Sequence, residues 1–152
     1  MIEIKAPDLI PERHEGSKYL FLAGSIEMDK ADNWQKMAVE MLSDTDWIIL
    51  NPRRLTWDST WKQTKDDPQF REQVEWELNA QEIADKILMY LDPATKSPIS
   101  LMELGLFGGT HKMIVVCPEG FWRKGNVDIV CERYDVPQEL TLEDAVAKLK
   151  TD

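Results

Sequence analysis

Apolar and polar residues along this chain follow two alternating rhythms. Tyr19-Leu20-Phe21-Leu22-Ala23, Trp47-Ile48-Ile49-Leu50, Ile87 to Leu91 and Met113-Ile114-Val115-Val116-Cys117 are continuous apolar runs of strand length. They stop at Gly24, Asn51-Pro52, Asp92-Pro93 and Pro118. Runs that are apolar at every position read as parallel strands covered on both faces. Between them the spacing changes to three and four. Trp34, Met37, Ala38, Met41 and Leu42 predict a helix that Asp29 or Asp32 can cap. Pro68 can start a second helix with Phe70, Val74, Leu78 and Ile83 inside. Ile99 to Phe107 predicts a third, whose apolar residues leave little surface for solvent, ended by Gly108-Gly109. Residues 126–133 read as a short helix, and Thr141-Leu142-Glu143-Asp144 opens the last one with Thr141 as its cap. Tyr134 to Val136 reads as a short edge strand. Residues 1–17, polar and punctuated by proline, read as an extended lead-in, and residues 52–67 as a long loop carrying Arg53, Arg54, Trp57 and Trp61.

Strand alternating with helix predicts an α/β fold: one domain over residues 1–152, a five-stranded parallel sheet of flavodoxin-like (Rossmann-like) order, helices on both faces and right-handed crossovers. In such a sheet the loops after the strands share one rim, where ligands bind. Here that rim follows Gly24, Asn51, Asp92 and Cys117.

Composition narrows the choice of ligand. A net charge of −10 over 152 residues disfavours nucleic-acid polymer and anionic membrane, but leaves room for a small ligand in a locally different pocket. No apolar run is long enough to cross a membrane, and Met1-Ile2-Glu3-Ile4-Lys5 lacks the pattern of a signal peptide. Cys117 and Cys131 have no metal-ligand spacing and read as reduced thiols of a cytoplasmic protein, with one disulfide left open. His14 and His111 form no metal cluster. No metal or other cofactor is implied.

The chemistry concentrates in Ser97-Pro98-Ile99-Ser100-Leu101-Met102-Glu103-Leu104-Gly105. Glu103 is a lone carboxylate in an apolar run, and a buried carboxylate is costly unless paired, hydrogen-bonded or used. Two registers compete. Ser100-x-x-Glu103 can be a capping box. With Ser97 as N-cap instead, Pro98 falls at the favoured first position and Glu103 lies in the second turn, free for chemistry. Around it the rim offers Gly24-Ser25, an ordinary turn or a close backbone approach with a hydroxyl. It also offers Trp57 and Trp61, which can stack on a planar base or pin the loop to the core. Asp85, beside the third of these strands, can cap the preceding helix, sit at a turn or take part in chemistry.

Taken in order, Phe21-Leu22-Ala23-Gly24-Ser25-Ile26, Ala84-Asp85-Lys86-Ile87, Met102-Glu103-Leu104-Gly105, and Pro118 followed by Gly125-Asn126, resemble the nucleoside 2-deoxyribosyltransferase superfamily, which includes the nucleoside 5′-phosphate N-hydrolases. The resemblance covers residues 18 to 130 or so. It implies that Glu103 is the nucleophile, that Asp85 contacts the base and helps protonate it, and that Asn126 reaches into a neighbouring subunit's site. It places Gly24 and Ser25 beside the sugar or its 5′ group. Two positions depart from the transferases. Ser97 stands where they carry aspartate six residues before the nucleophile, as in the N-hydrolase branch, whose serine lies near the 5′-phosphate. Phe21 replaces a first-strand tyrosine whose hydroxyl would help orient the nucleophile. The implied reaction is transfer of 2-deoxyribose between nucleobases through a covalent glycosyl-enzyme. The alternatives are N-glycosidic hydrolysis of (deoxy)nucleoside 5′-monophosphates and a non-catalytic nucleotide-binding or sensor domain. The implied partners are a nucleoside or nucleotide, a free nucleobase and further copies of the chain in a homo-oligomer.

Overall fold

The computed structural model describes residues 1–27 and 32–151. Its elements, in chain order, are β1 (Ile2–Lys5), β2 (Tyr19–Gly24), α1 (Trp34–Met41), β3 (Ile48–Asn51), α2 (Pro68–Ile83), β4 (Lys86–Tyr90), α3 (Pro98–Phe107), a 3-10 turn (Gly108–Thr110), β5 (Met113–Val116), α4 (Lys124–Arg133), β6 (Gln138–Glu139) and α5 (Leu142–Leu149). The sheet order is β1-β3-β2-β4-β5-β6 and every pairing is parallel. Without β1 this is the expected flavodoxin-like order.

The continuous apolar runs do cover both faces. Tyr19, Phe21, Ala23, Ile87, Met89, Met113 and Val115 point into one core with residues of α2, α3 and α4. Leu20, Leu22, Ile49, Leu88, Ile114 and Val116 point into the other with α1 and α5. Each fully buried aliphatic side chain in these layers contributes about 1.5–3 kcal/mol relative to exposure.

The sheet has six strands rather than five. Ile2-Glu3-Ile4-Lys5, expected as lead-in, pairs in register with Ile48-Ile49-Leu50-Asn51 as an outer strand. Ile2 is exposed and Ile4 only partly buried. Such an edge strand needs just an alternating pattern, not a continuous apolar one. The last edge strand lies at Gln138–Glu139, not at 134–136: Tyr134 caps α4, Asp135 has φ of 55° and Val136 turns inward to bond Cys131 O at 2.9 Å. Asn33 is the N-cap of α1, accepting from Lys36 N at 3.2 Å; Asp29 lies outside the described residues. Both cysteines are free and buried. Among the described residues no helix is long and apolar enough to cross a membrane.

Two helices depart from their expected faces. In α2 the residues against the sheet include Trp76 and Ala80, while Phe70, Val74 and Leu78 line a cavity and Ile83 is exposed. In α3, Ile99, Met102 and Leu106 are more than half exposed in the single chain, so this helix is not buried all round.

Candidate active site

The cavity lies at the carboxyl ends of β2 and β4, between α2, α3 and the 52–67 loop, and has a volume of about 500 Å³. Its floor is possible because Gly24 has no side chain. Gly24 sits at φ of 127°, where a Cβ would come 2.1 Å from Tyr90 O. β2 and β4 could not pair there with any other residue.

The amino end of α3 is built by side chains from three segments. Asp67 caps α2 by accepting from Gln69 N and Phe70 N, both at 3.1 Å. Ser97, at the same place on α3, does something else. It holds a left-handed φ of 46° and makes no side-chain cap bond. Its Oγ lies 2.6 Å from Ser25 Oγ and 2.7 Å from Thr95 Oγ1, and Ser25 Oγ lies 2.9 Å from Thr95 Oγ1. Asp92 N donates to Ser25 Oγ at 2.9 Å, tying this hydroxyl ring to the end of β4. Ser97 and Gly24 line the cavity, whereas Ser25 is buried behind them as a brace. A left-handed non-glycine residue costs about 1–3 kcal/mol, and such residues gather at functional sites. Glu27 supplies the missing cap: its Oε1 accepts from Lys96 N at 3.2 Å and Ser97 N at 3.3 Å.

This register decides between the two helix starts that the sequence offered. Ser100 lies inside α3, so no capping box forms. Glu103 is 7% exposed and lines the cavity. Burial, and then the charge of Glu77, push its carboxyl up to about 8, against a hydrogen bond from the Gln81 amide. Glu77 itself is pushed up to about 7 by burial, opposed by the Gln73 amide. Both carboxyls therefore titrate near neutrality, Glu103 partly through the charge of Glu77, and such buried groups mark acid–base and nucleophilic sites.

Gln73, Glu77 and Gln81 form one polar stripe along α2, four residues apart. Gln73 Nε2 donates to Pro52 O at 2.9 Å and to Glu77 Oε1 at 2.8 Å, which fixes the amide's orientation. Among the described residues, Gln73 Oε1 and Gln81 Oε1 are buried acceptors with no partner. Both glutamines line the cavity, and unsatisfied buried acceptors suit a ligand carrying N–H or O–H groups. Trp57 forms part of the wall. Trp61 does not line the cavity but supports it, packing edge-on against Trp57 at 5.0 Å beneath the Arg54 guanidinium at 4.9 Å. Arg54 is held by Glu72 at 2.8 Å.

Asp85 does not join this cavity. It precedes β4, so the strand's length, roughly 16 Å for five residues, separates it from the carboxyl-terminal rim. Its two oxygens accept from Arg13 at 3.0 Å each, and Oδ2 also accepts from Tyr19 N at 2.8 Å. Burial works to raise its carboxyl, but the Arg13 and Tyr19 bonds, with the charges of Arg13 and Lys112, win and hold it below the usual range. This carboxylate, held below the usual range at the amino end of β4, ties the 6–18 segment to the sheet. The acid that shares the cavity with Glu103 is Glu77. Its sequence signal was the Gln-x-x-x-Glu-x-x-x-Gln stripe, which resembles a solvated helix face. Asn126 is exposed on α4 and lines a shallow groove on another side of α3, with Leu101, Gly105 and Trp122, so it does not reach Glu103 of its own chain.

A family described as nucleoside 2-deoxyribosyltransferase like matches residues 17–121. That segment carries β2 to β5 and every residue lining the cavity, while Asn126 lies beyond it. No curated protein matches the chain.

Proposed function

Because the chain belongs to the nucleoside 2-deoxyribosyltransferase-like family, we propose that it transfers 2-deoxyribose between nucleobases, with Glu103 as nucleophile and Glu77 as acid and base. The observation that carries this reading is the coupled pair itself: two carboxyls in one cavity, raised by burial and, for Glu103, by the charge of its neighbour. The reaction needs Glu103 ionised and Glu77 neutral; with Glu103 pushed up to about 8 and Glu77 to about 7 the resting proton favours Glu103, so substrate binding must shift it to Glu77. A carboxylate is then available for C1′ and a proton for the base.

In the first half-reaction a Glu103 oxygen bonds to C1′ as the C1′–N bond breaks. The electron pair leaves with the base, which takes the Glu77 proton. In the second, a nitrogen of the incoming base attacks C1′, the ester bond to Glu103 breaks, and the N–H proton of that base returns to Glu77. This is the two-step logic of retaining glycosidases with a nucleobase as leaving group. Trp57 supplies a face for stacking, and the free acceptors of Gln73 and Gln81 meet base N–H groups. Water in place of the second base gives hydrolysis at the same site. The serine at position 97, at the amino end of α3, is what favours hydrolysis of 5′-monophosphates as a second reading. A sensor domain would have no use for two carboxyls that burial disfavours.

The active unit in this reading is a homo-oligomer of two or more chains. Ile99, Met102 and Leu106 are exposed at the cavity's margin. Covering them with a second copy would dry the site and bring a neighbour's Asn126 toward it.

The test is incubation with a panel of nucleosides and monophosphates, with and without a free acceptor base. Base exchange supports transfer, release of free base alone supports hydrolysis, and no turnover refutes both. Glu103→Ala should abolish activity with the fold intact, and mass spectrometry of quenched wild type should find a deoxyribosyl adduct on Glu103. Turnover by Glu103→Ala near the wild-type rate would rule this residue out as nucleophile.

A further inference from the structure

We propose that Glu27 is a specificity-determining residue: its carboxylate stands at the amino end of α3, where a phosphate would seek N–H donors, and restricts the site to substrates with an uncharged 5′-hydroxyl. The inference rests on the reading of the cavity as a nucleoside site and chooses between its two substrate classes.

Glu103 fixes where C1′ must lie. The base points toward the α2 stripe, where the free acceptors and Trp57 are. The 5′ group therefore points the other way, toward Gly24, Glu27 and Ser97. Ser97 lies six residues before Glu103 along α3, about 9 Å of helix rise, which suits a deoxyribose with its 5′ substituent.

A helix start attracts a phosphate through free backbone N–H groups. Here Lys96 N and Ser97 N, just ahead of the helix, already donate to Glu27 Oε1, and Pro98 at its first position has no N–H, which leaves Ile99 N and Ser100 N, two and three residues beyond the Ser97 that Glu27 holds. A phosphate placed there meets a carboxylate where it needs donors. The rest of the lining deepens the exclusion. Among the described residues the lining holds one cation, Arg54, and Glu72 already engages it. Like charges brought together in a partly desolvated site are strongly disfavoured. A 5′-hydroxyl meets no such barrier: it can donate to the Glu27 carboxylate or to Ser97 Oγ.

The experiment measures binding of each of the four common 2′-deoxynucleosides and its 5′-monophosphate by calorimetry on the full chain, so that it does not depend on turnover. Wild type should bind at least one nucleoside ten-fold or more tightly than its monophosphate. Glu27→Gln, which keeps the shape and removes the charge, should reduce that discrimination at least ten-fold, and Glu27→Ala should reduce it too. A wild type that binds a monophosphate as tightly as its nucleoside overturns the proposal without any variant. So does unchanged discrimination in both folded variants. Binding with the expected discrimination but without base exchange would refute the transfer reaction and leave the role of Glu27 standing. Failure to bind any member of the panel would refute both.

Discussion

Replacing Glu103 by glutamine should make this protein more stable in alkali and leave its stability almost unchanged in mild acid. The neutral carboxyl and the amide have nearly the same size, so below the ordinary glutamate range the two side chains differ little. The difference grows with pH. In the unfolded chain Glu103 ionises at its ordinary value of 4.5, whereas in the folded chain burial and then the Glu77 charge hold it up to about 8. Between these values the unfolded state has lost its proton and the folded state has kept it. Stability therefore falls as pH rises through the window, and the full penalty is present above 8. A rise from 4.5 to about 8, at about 1.4 kcal/mol per pH unit, is of the order of 5 kcal/mol. Urea unfolding of wild type and Glu103→Gln at pH 5 and pH 9 measures the difference. If only half of it is realised, the variant should still melt about 5–10 °C higher at pH 9 for a domain of this size. Equal differences at the two pH values would refute the claim that Glu103 is a buried carboxyl with a raised proton affinity.

Three further outcomes follow from the geometry. Glu77→Gln should lower kcat by about 100- to 10,000-fold if Glu77 passes the proton to the base; it should also move the titration of Glu103 downward, because the like charge that helps raise it is gone, and an unchanged pH profile would separate the two carboxyls. Gly24→Ala should unfold the protein or cost several kcal/mol in urea, since its Cβ would lie 2.1 Å from the Tyr90 carbonyl; a variant with wild-type stability would show that β2 and β4 part easily. Asp85→Asn should lose about 1 kcal/mol, allowing for the partial exposure of its ion pair, with kcat retained; loss of kcat in a folded variant would return Asp85 to the chemistry.

The central four strands and their order were legible because each is apolar without interruption, a pattern that arises only where both faces are covered. The start of α3 was legible because Ser-Pro fixes the register, and the register places Glu103 in the second turn. β1 was hidden by its position. As an outer strand it is only partly buried, and Ile2-Glu3-Ile4-Lys5 alternates too briefly to stand out among polar residues. Glu77 was hidden by the double duty of α2. Trp76 and Ala80 face the sheet while the neighbouring stripe faces the cavity, so a glutamate between two glutamines looks like solvent-facing helix. Asp85 adjoins a central strand, at its amino end. Adjacency in sequence does not say which end of the strand holds the ligand.

The hydroxyl ring behind the cavity has a consequence of its own, in the counting of protons. Ser25, Thr95 and Ser97 own three hydroxyl hydrogens. Those hydrogens face four contacts: the three sides of the ring and the carbonyl of Asp92, which lies 2.9 Å from Thr95 Oγ1. One contact is always left as two oxygens with nothing between them, whichever way the hydrogens turn. Ser97 is the ring member that lines the cavity. An alcohol arriving there can donate its own hydrogen to Ser97 Oγ and leave the three ring hydrogens where they are. A fully ionised phosphate can only accept, and taking the Ser97 hydrogen would leave two for the four inner contacts.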